Sequence, residues 1–341
     1  MHLKIYKMYT SKIIGLGKYV PENVVTNDDL AQLMDTSDEW IQERTGIQER
    51  RHIKDGDGNS TSIMGVKAAK QAIERAKIDK DDIELIVFAT LSPDYYFPGC
   101  GVQIQEQLGI KTCPALDVRN QCSGFIYGLS VADQFVKTGM YKNVLVIGSE
   151  NHSGGLDMSN RSRHVSVIFG DGAGAAVLTR SDNNSGILST HLHSQGEFID
   201  ELSLRGPSTE IWVPEIIAKN PQEDIPYYPK MNGQLVFKNA VVRFSEVIHE
   251  GLEFNNLTKQ EIDMFIPHQA NLRISQFIQK KLGLDDDQVY NNIQRYGNTT
   301  AASIPIALTE AWEEGKINQG DLVVLAAFGS GFTWGSAMIR W

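Results

Sequence analysis

Two stretches of this 341-residue chain repeat one another at a distance, and the repeat limits what the chain can fold into. Lys80–Asp94, KDDIELIVFATLSPD, and Lys259–Asn271, KQEIDMFIPHQAN, share an acidic turn, a short apolar run and a polar tip. Each leads into a helical stretch with a similar end, EQLGI at Glu106–Ile110 and KKLGL at Lys280–Leu284. A loop, an apolar-faced helix and a further apolar run follow in both halves. Generic α/β repetition would give part of this likeness. The matching order of strand, helix, helix and strand favours duplication.

The runs IELIVFATL, NVLVIGS, GAGAAVL and DLVVLAAFG are almost continuously apolar rather than alternating. Such strands are covered on both faces, as in sheets sandwiched by helices. Phe125, Ile126, Leu129, Ala132, Phe135 and Val136 recur at helical spacing before Gly139, which suits a helix stop. Ile304, Ala307, Leu308, Ala311 and Trp312 do the same before Gly315, with Pro305 tolerable only near that helix's start. The glycines of FGDGAGAAVL (Phe169–Leu178) precede an apolar strand, whereas a phosphate-cradling loop would lead into a helix. Close backbone packing is the expected use of those glycines.

Composition narrows the function classes. An apolar fraction of 41% and 22% charged residues are those of a globular domain, and no apolar run approaches the ~20 residues of a membrane span. The N-terminal MHLKIYKMYTSKIIGLG has scattered charge and no apolar signal segment. Three cysteines, Cys100, Cys113 and Cys122, form no C-x-x-C pair and suggest neither a disulfide framework nor a zinc site. A reducing cytoplasm is therefore the expected location. A net charge of −10 argues against nucleic acid as a partner, and an acidic macromolecular partner would need a local basic patch.

The repeat bears on VRNQCSGFIYG (Val118–Gly128), where Cys122 precedes the first central helix. By itself a lone cysteine is as readily a packed thiol as a nucleophile. A helix start supplies unpaired N–H groups that favour a thiolate and stabilise an oxyanion on a carbonyl bonded to the sulfur. Aligning the halves sets Cys122 opposite Asn298 in RYGNTTAAS, while His268 follows the strand answering IELIVFATL. Strand ends of a parallel sheet lie on one side, so the three groups are expected to converge. Taken singly, Asn298 also fits an ordinary turn and helix cap, and His268 a core histidine.

Six ordered motifs then give the chain a family likeness. TSDEWIQERTGIQERR, QCSGFIYGLS, VIFGDGAGAAVL, IPHQANLR, RYGNTTAASIPIAL and AAFGSGFTWGSAMIRW together resemble β-ketoacyl-acyl-carrier-protein synthase III, of the thiolase-like superfamily, from about Ile13 to Trp341. The resemblance implies a duplicated five-layered α/β/α/β/α sandwich, with halves 1–180 and 181–341, and a homodimer. It implies a Cys122–His268–Asn298 triad, with the N–H groups of Cys122 and Ser330 as an oxyanion hole. The implied reaction is a decarboxylating Claisen condensation of an acyl-CoA primer with malonyl-acyl-carrier-protein through acyl-Cys122. No permanently bound cofactor is implied.

Further positions carry over one at a time. Trp40 and Arg163 match residues that sandwich the CoA adenine, Arg44 a nucleotide-phosphate contact, and Asn271 a pantetheine-side group near His268. Phe97 matches a residue closing the partner's acyl pocket, and Phe328 a gate beside Cys122. Lys238, Arg273 and Lys280 match a basic surface that docks acyl carrier protein. A specialised synthase or acyltransferase of secondary metabolism would use the same acyl-cysteine. A papain-like peptidase shares the order Cys, His, Asn but requires a local signature absent here. A non-catalytic acyl-binding subunit is disfavoured by retention of all three triad residues.

The chain departs from the family pattern at Asn120 and Gln121, where small residues are usual, and at Ser330, where glycine is common. The segment Ser189–Met231 is longer than in compact members and rich in aromatics and prolines, which suits an ordered flap or an added dimer contact. These departures lead to the expectation of primers longer than acetyl.

Overall fold

The structure is a computed structural model and describes residues 8–181, 185–206, 208 and 228–341. The first sheet contains β1 (Thr10–Tyr19), β2 (Leu85–Ala89), β3 (Ala115–Val118), β4 (Asn143–Glu150) and β5 (Gly172–Ser181), in the order β1-β5-β4-β2-β3. The second contains β6 (Gly186–Ser194), β7 (Met264–Pro267), β8 (Leu322–Gly329) and β9 (Thr333–Arg340), in the order β6-β9-β8-β7. Within each, the outer two pairings are antiparallel and the next is parallel. The counterpart of β3 is a single parallel bridge between Phe265 and Val289. The second sheet thus repeats the first with its last strand reduced to one pair.

Seven helices position the site: α1 (Asp38–Thr45), α2 (Thr61–Ala76), α3 (Cys100–Leu108), α4 (Gly124–Lys137), α5 (Gly233–Phe254), α6 (Leu272–Leu282) and α7 (Ser303–Glu313). Helices α2 and α3 cover the outer face of the first sheet, α4 and α7 lie between the sheets, and α5 with α6 covers the second. These are the five layers of the thiolase-like sandwich.

The layering explains the continuous apolar runs. In β2, Leu85 and Val87 enter the central core, while Ile86 and Phe88 enter the core beneath α2 and α3. In β8, Val323 and Leu325 point to the centre, while Leu322 and Val324 pack under α5. Both sets must be apolar because strand side chains alternate and neither face meets water. The FGDGAGAAVL glycines enter β5 itself, with no helix after them. Pro305 is the third residue of α7, where its missing N–H costs nothing within the helix.

The repeat register corrects one expectation. A 3₁₀ turn, Gln121–Ser123, leads into α4, and a second, Thr300–Ala302, leads into α7. Their first residues, Gln121 and Thr300, both take left-handed backbone angles, φ 45° and 42°. Cys122 is therefore equivalent to Ala301, and Asn298 lies three residues upstream of that match. The two turns, rather than the Gly-Asn-Thr pattern around Asn298, set the register of the repeat.

Candidate active site

Each turn is supported by a strand of the opposite half. The end of β8 packs on the Cys122 turn, and the end of β4 packs on the Thr300 turn. The approaches are too close for a side chain: a Cβ on Gly329 would lie 2.8 Å from the Cys122 Cβ, and one on Gly148 would lie 2.2 Å from the Ala301 carbonyl oxygen. Only glycine permits this contact.

Cys122, His268 and Asn298 are all buried and line one cavity of about 130 Å³, together with Phe328, Asn271, Val236 and Phe237. The Asn298 side chain and the backbone N–H groups of Cys122 and Ser330 lie by the Cys122 sulfur and act to lower its pKa. Burial, with the Glu150 carboxylate adding to it, nevertheless pushes the thiol up to about 12. The helix start was expected to favour the thiolate. In the resting site desolvation and a like charge outweigh it, so the proton stays on sulfur until an acyl group arrives.

His268 follows β7 and is held by the Ser303 hydroxyl. The Gln269 N–H donates to Ser303 Oγ at 3.3 Å, and Ser303 Oγ lies 2.6 Å from His268 Nδ1. With the serine hydrogen directed at Nδ1, the ring proton resides on Nε2. Burial pushes the imidazole down to about 3, so the ring is neutral. Nε2 is buried with no partner among the described residues, a donor facing the cavity. Asn298 is fixed similarly: its Oδ1 accepts the Thr300 N–H at 2.8 Å, which leaves the amide NH₂ for the sulfur side. Both groups can donate to one oxygen without being consumed.

Cys122 also borders a second cavity of about 360 Å³, shaped by Leu91, Tyr96, Leu156, Phe169, Leu202 and Leu204, among others. Gln121 lines it, as does Ser330. Leu202–Ser203 pairs with Lys230–Met231, so the described flanks of the Ser189–Met231 segment wall both cavities. Residues 207 and 209–227, on which the flap expectation mainly fell, lie outside the described residues.

Outside the cavities, Trp40 on α1 has the Arg44 guanidinium 4.4 Å and that of Arg163 5.5 Å from its ring centre. Arg163 also pairs with Asp35 at 3.2 Å, and Asn271 Nδ2 donates to the Arg44 carbonyl at 2.8 Å. These four residues therefore form one connected patch leading from α1 to the His268 loop. Lys238 on α5 and Arg273 and Lys280 on α6 are exposed on the helices whose inner faces wall the smaller cavity. Phe328 is buried and packs against Phe332 at 4.8 Å, whereas Phe97 is 82% exposed. All three cysteines are free thiols.

Sequence reading missed Ser303, Glu150, His152 and Thr300. Glu150 ends β4 fully buried, and Ser92 Oγ donates to it at 2.6 Å. The available signal was the polar run SENHSGG after an apolar strand, which places charge where the core should continue.

A thiol, two neutral donors and backbone N–H groups around one cavity in a duplicated sandwich define a thiolase-like condensing enzyme. Two family models agree: 3-oxoacyl-[acyl-carrier-protein] synthase III matches residues 116–196, and its C-terminal model matches 252–341. The chain is 51% identical over 333 residues to β-ketoacyl-[acyl-carrier-protein] synthase III of Salmonella paratyphi A, covering 98% of this chain and all of the relative. The Aliivibrio fischeri enzyme of the same name is 49% identical over 330 residues, covering 97% of this chain and 99% of that one. The crystal structure of 3-oxoacyl-[acyl-carrier-protein] synthase III from Aquifex aeolicus superposes with a TM-score of 0.89 at 43% identity, covering 97% of this chain and all of that chain. A priming β-ketosynthase of the R1128 polyketide pathway gives 0.89 at 30%, covering 99% and 98%. The chain belongs to the β-ketoacyl-acyl-carrier-protein synthase III family, and it is an acyltransferase of the condensing type.

Proposed function

We propose that this enzyme starts fatty-acid synthesis by condensing an acyl-CoA primer with malonyl-acyl-carrier-protein. The observation that carries the reading is the single cavity shared by Cys122, the unpartnered His268 Nε2 and Asn298. Relatives about 50% identical along the whole chain support it over a specialised role in secondary metabolism.

In the first half-reaction the Cys122 sulfur attacks the primer carbonyl. The N–H groups of Cys122 and Ser330 stabilise the oxyanion, and the thiol proton leaves on the departing CoA sulfur. In the second, His268 Nε2–H and the Asn298 amide donate to the malonyl thioester oxygen. Carbon dioxide leaves with cleavage of the C–C bond, and the enolate carbon attacks acyl-Cys122. The S–C bond breaks, Cys122 regains a proton from solvent, and the 3-oxoacyl product stays on the carrier protein. Both half-reactions need only thiol, thioester and hydrogen-bond chemistry, which is why no resident cofactor enters the proposal.

Trp40 and Arg163 are the proposed adenine clamp, Arg44 the phosphate contact and Asn271 the pantetheine contact. Stacking on an aromatic face and pairing with phosphate suit those residue types. Lys238, Arg273 and Lys280 are the proposed dock for the acidic carrier protein. Phe328 is the gate. The larger cavity beside Cys122 supports primers longer than acetyl, since about 360 Å³ exceeds what two carbons fill.

A cytoplasmic homodimer of duplicated halves, 1–180 and 181–341, completes the proposal. Tyr95, Tyr96, Phe97, Val102 and Leu116 are exposed around the edge strand β3, an apolar surface that a second copy would cover. Among the described residues no helix is long and apolar enough to cross a membrane. The test is release of labelled carbon dioxide from malonyl-acyl-carrier-protein. Release that depends on added acyl-CoA and yields a 3-oxoacyl product is expected; acyl transfer to oxygen or nitrogen without carbon dioxide would refute it.

A further inference from the structure

Thr300 is a β-branched residue held at φ 42°, a backbone region that such side chains avoid. A conformation of this kind persists only where its surroundings over-determine it. Here the surroundings come from the end of β4 and the residues just after it. Glu150 accepts hydrogen bonds from Thr90 Oγ1 at 3.1 Å and from Ser92 Oγ at 2.6 Å. It also accepts from the Leu91 N–H at 3.2 Å, which fixes the strand end that packs on the Thr300 turn. His152 Nε2 lies 3.1 Å from Thr300 Oγ1.

The Thr300 hydroxyl is held by the His152 ring, whose Nε2 lies within hydrogen-bond distance of Oγ1. His152 is oriented in turn, its backbone N–H donating to Asp171 at 2.6 Å and its ring packing on Phe169 at 4.7 Å. The hydroxyl's partner thus comes from the first half of the chain, while the turn belongs to the second. The left-handed backbone of Thr300 aims its N–H at Asn298 Oδ1, at 2.8 Å.

We propose that His152 is a positioning residue for condensation: by holding the Thr300 hydroxyl it fixes the N–H that orients the Asn298 amide. The inference rests on the reading of Asn298 as an enolate-stabilising donor. Cys122 acylation uses the N–H groups of Cys122 and Ser330, which the His152–Thr300 contact does not orient. The two half-reactions separate accordingly.

Thr300→Val keeps the side-chain shape and the backbone N–H but removes the hydroxyl bond to His152. Acylation of Cys122 by hexanoyl-CoA, followed by intact mass, is expected to stay within about twofold of wild type. Turnover of preformed hexanoyl-enzyme with malonyl-acyl-carrier-protein is expected to fall at least tenfold in kcat, with KM little changed. Thr300→Ser, which restores the hydroxyl, is expected to recover most of the rate, and His152→Phe, which keeps a ring but not the bond, to resemble Thr300→Val. Full condensation in Thr300→Val overturns the proposal. So does equal loss in both half-reactions, which would mark a general structural defect. Failure of wild-type enzyme to acylate or to release carbon dioxide would instead strike the condensing-enzyme reading.

Discussion

The turns Gln121–Ser123 and Thr300–Ala302 share a left-handed first residue, a following central helix and a supporting strand from the opposite half. One carries Cys122 at its second position and the other Ala301. The first turn carries the thiol, beside the backbone N–H of Ser330. The second is a place of orientation, with its own N–H given to Asn298. Duplication supplies two equivalent scaffolds, and the chemistry arises because they have diverged. Crossed support from β4 and β8 also makes each turn depend on the other half of the chain.

The comparison is broken most sharply by moving the thiol. Cys122→Ala is expected to abolish the acyl adduct and reduce turnover by at least ~10³-fold. Adding Ala301→Cys is expected to restore nothing, because the second turn lacks the N–H of Ser330 at its side. An adduct on residue 301 would show the two turns to be interchangeable. Next in size, Asn298→Ala is expected to lower condensation by about 10²–10³, the usual cost of one oxyanion donor. Its acylation rate, measured separately with acyl-CoA, should remain near wild type.

Smaller effects sharpen the packing side. Gly329→Ala pushes a methyl group against Cys122 and Gly148→Ala one against Ala301, each expected to cost about 1–3 kcal/mol in urea unfolding. The first variant should lose acylation before condensation, and the second the reverse. Identical kinetic profiles would mean that the turns move as one body.

Read per pH unit, the smallest signal is electrostatic. Burial holds folded His268 at about 3, against 6.5 in the unfolded chain. Between those values the unfolded state binds the extra proton, so stability falls as pH drops. His268→Gln should reduce that slope by up to one proton, about 1.4 kcal/mol per pH unit, measured as unfolding free energy from pH 6.5 to pH 4. An unchanged slope would place a charged or exposed ring at this position.

The layered fold was legible because continuous apolar runs report burial on both faces, as Leu85–Ala89 and Leu322–Gly329 do. Cys122, His268 and Asn298 stood out because each interrupts such a pattern at the end of a strand or the start of a helix. The exact register of the repeat was not legible. It is set by left-handed angles at Gln121 and Thr300, residue types with no outward sign of that backbone. His152 was hidden for a related reason: its partner Thr300 comes from the other half, and sequence distance conceals a hydrogen bond. The raised thiol shows the same limit, since burial is a property of the assembled layers rather than of a local motif.

The central claim is that Cys122 alone carries the acyl group between the two half-reactions. Intact-protein mass spectrometry with acyl-CoA, then with malonyl-acyl-carrier-protein, tests it directly. One acyl increment per chain, mapped to Cys122 and discharged as 3-oxoacyl carrier protein on the second addition, is the predicted result. An increment that persists in Cys122→Ala, or that the malonyl substrate leaves untouched, would contradict it.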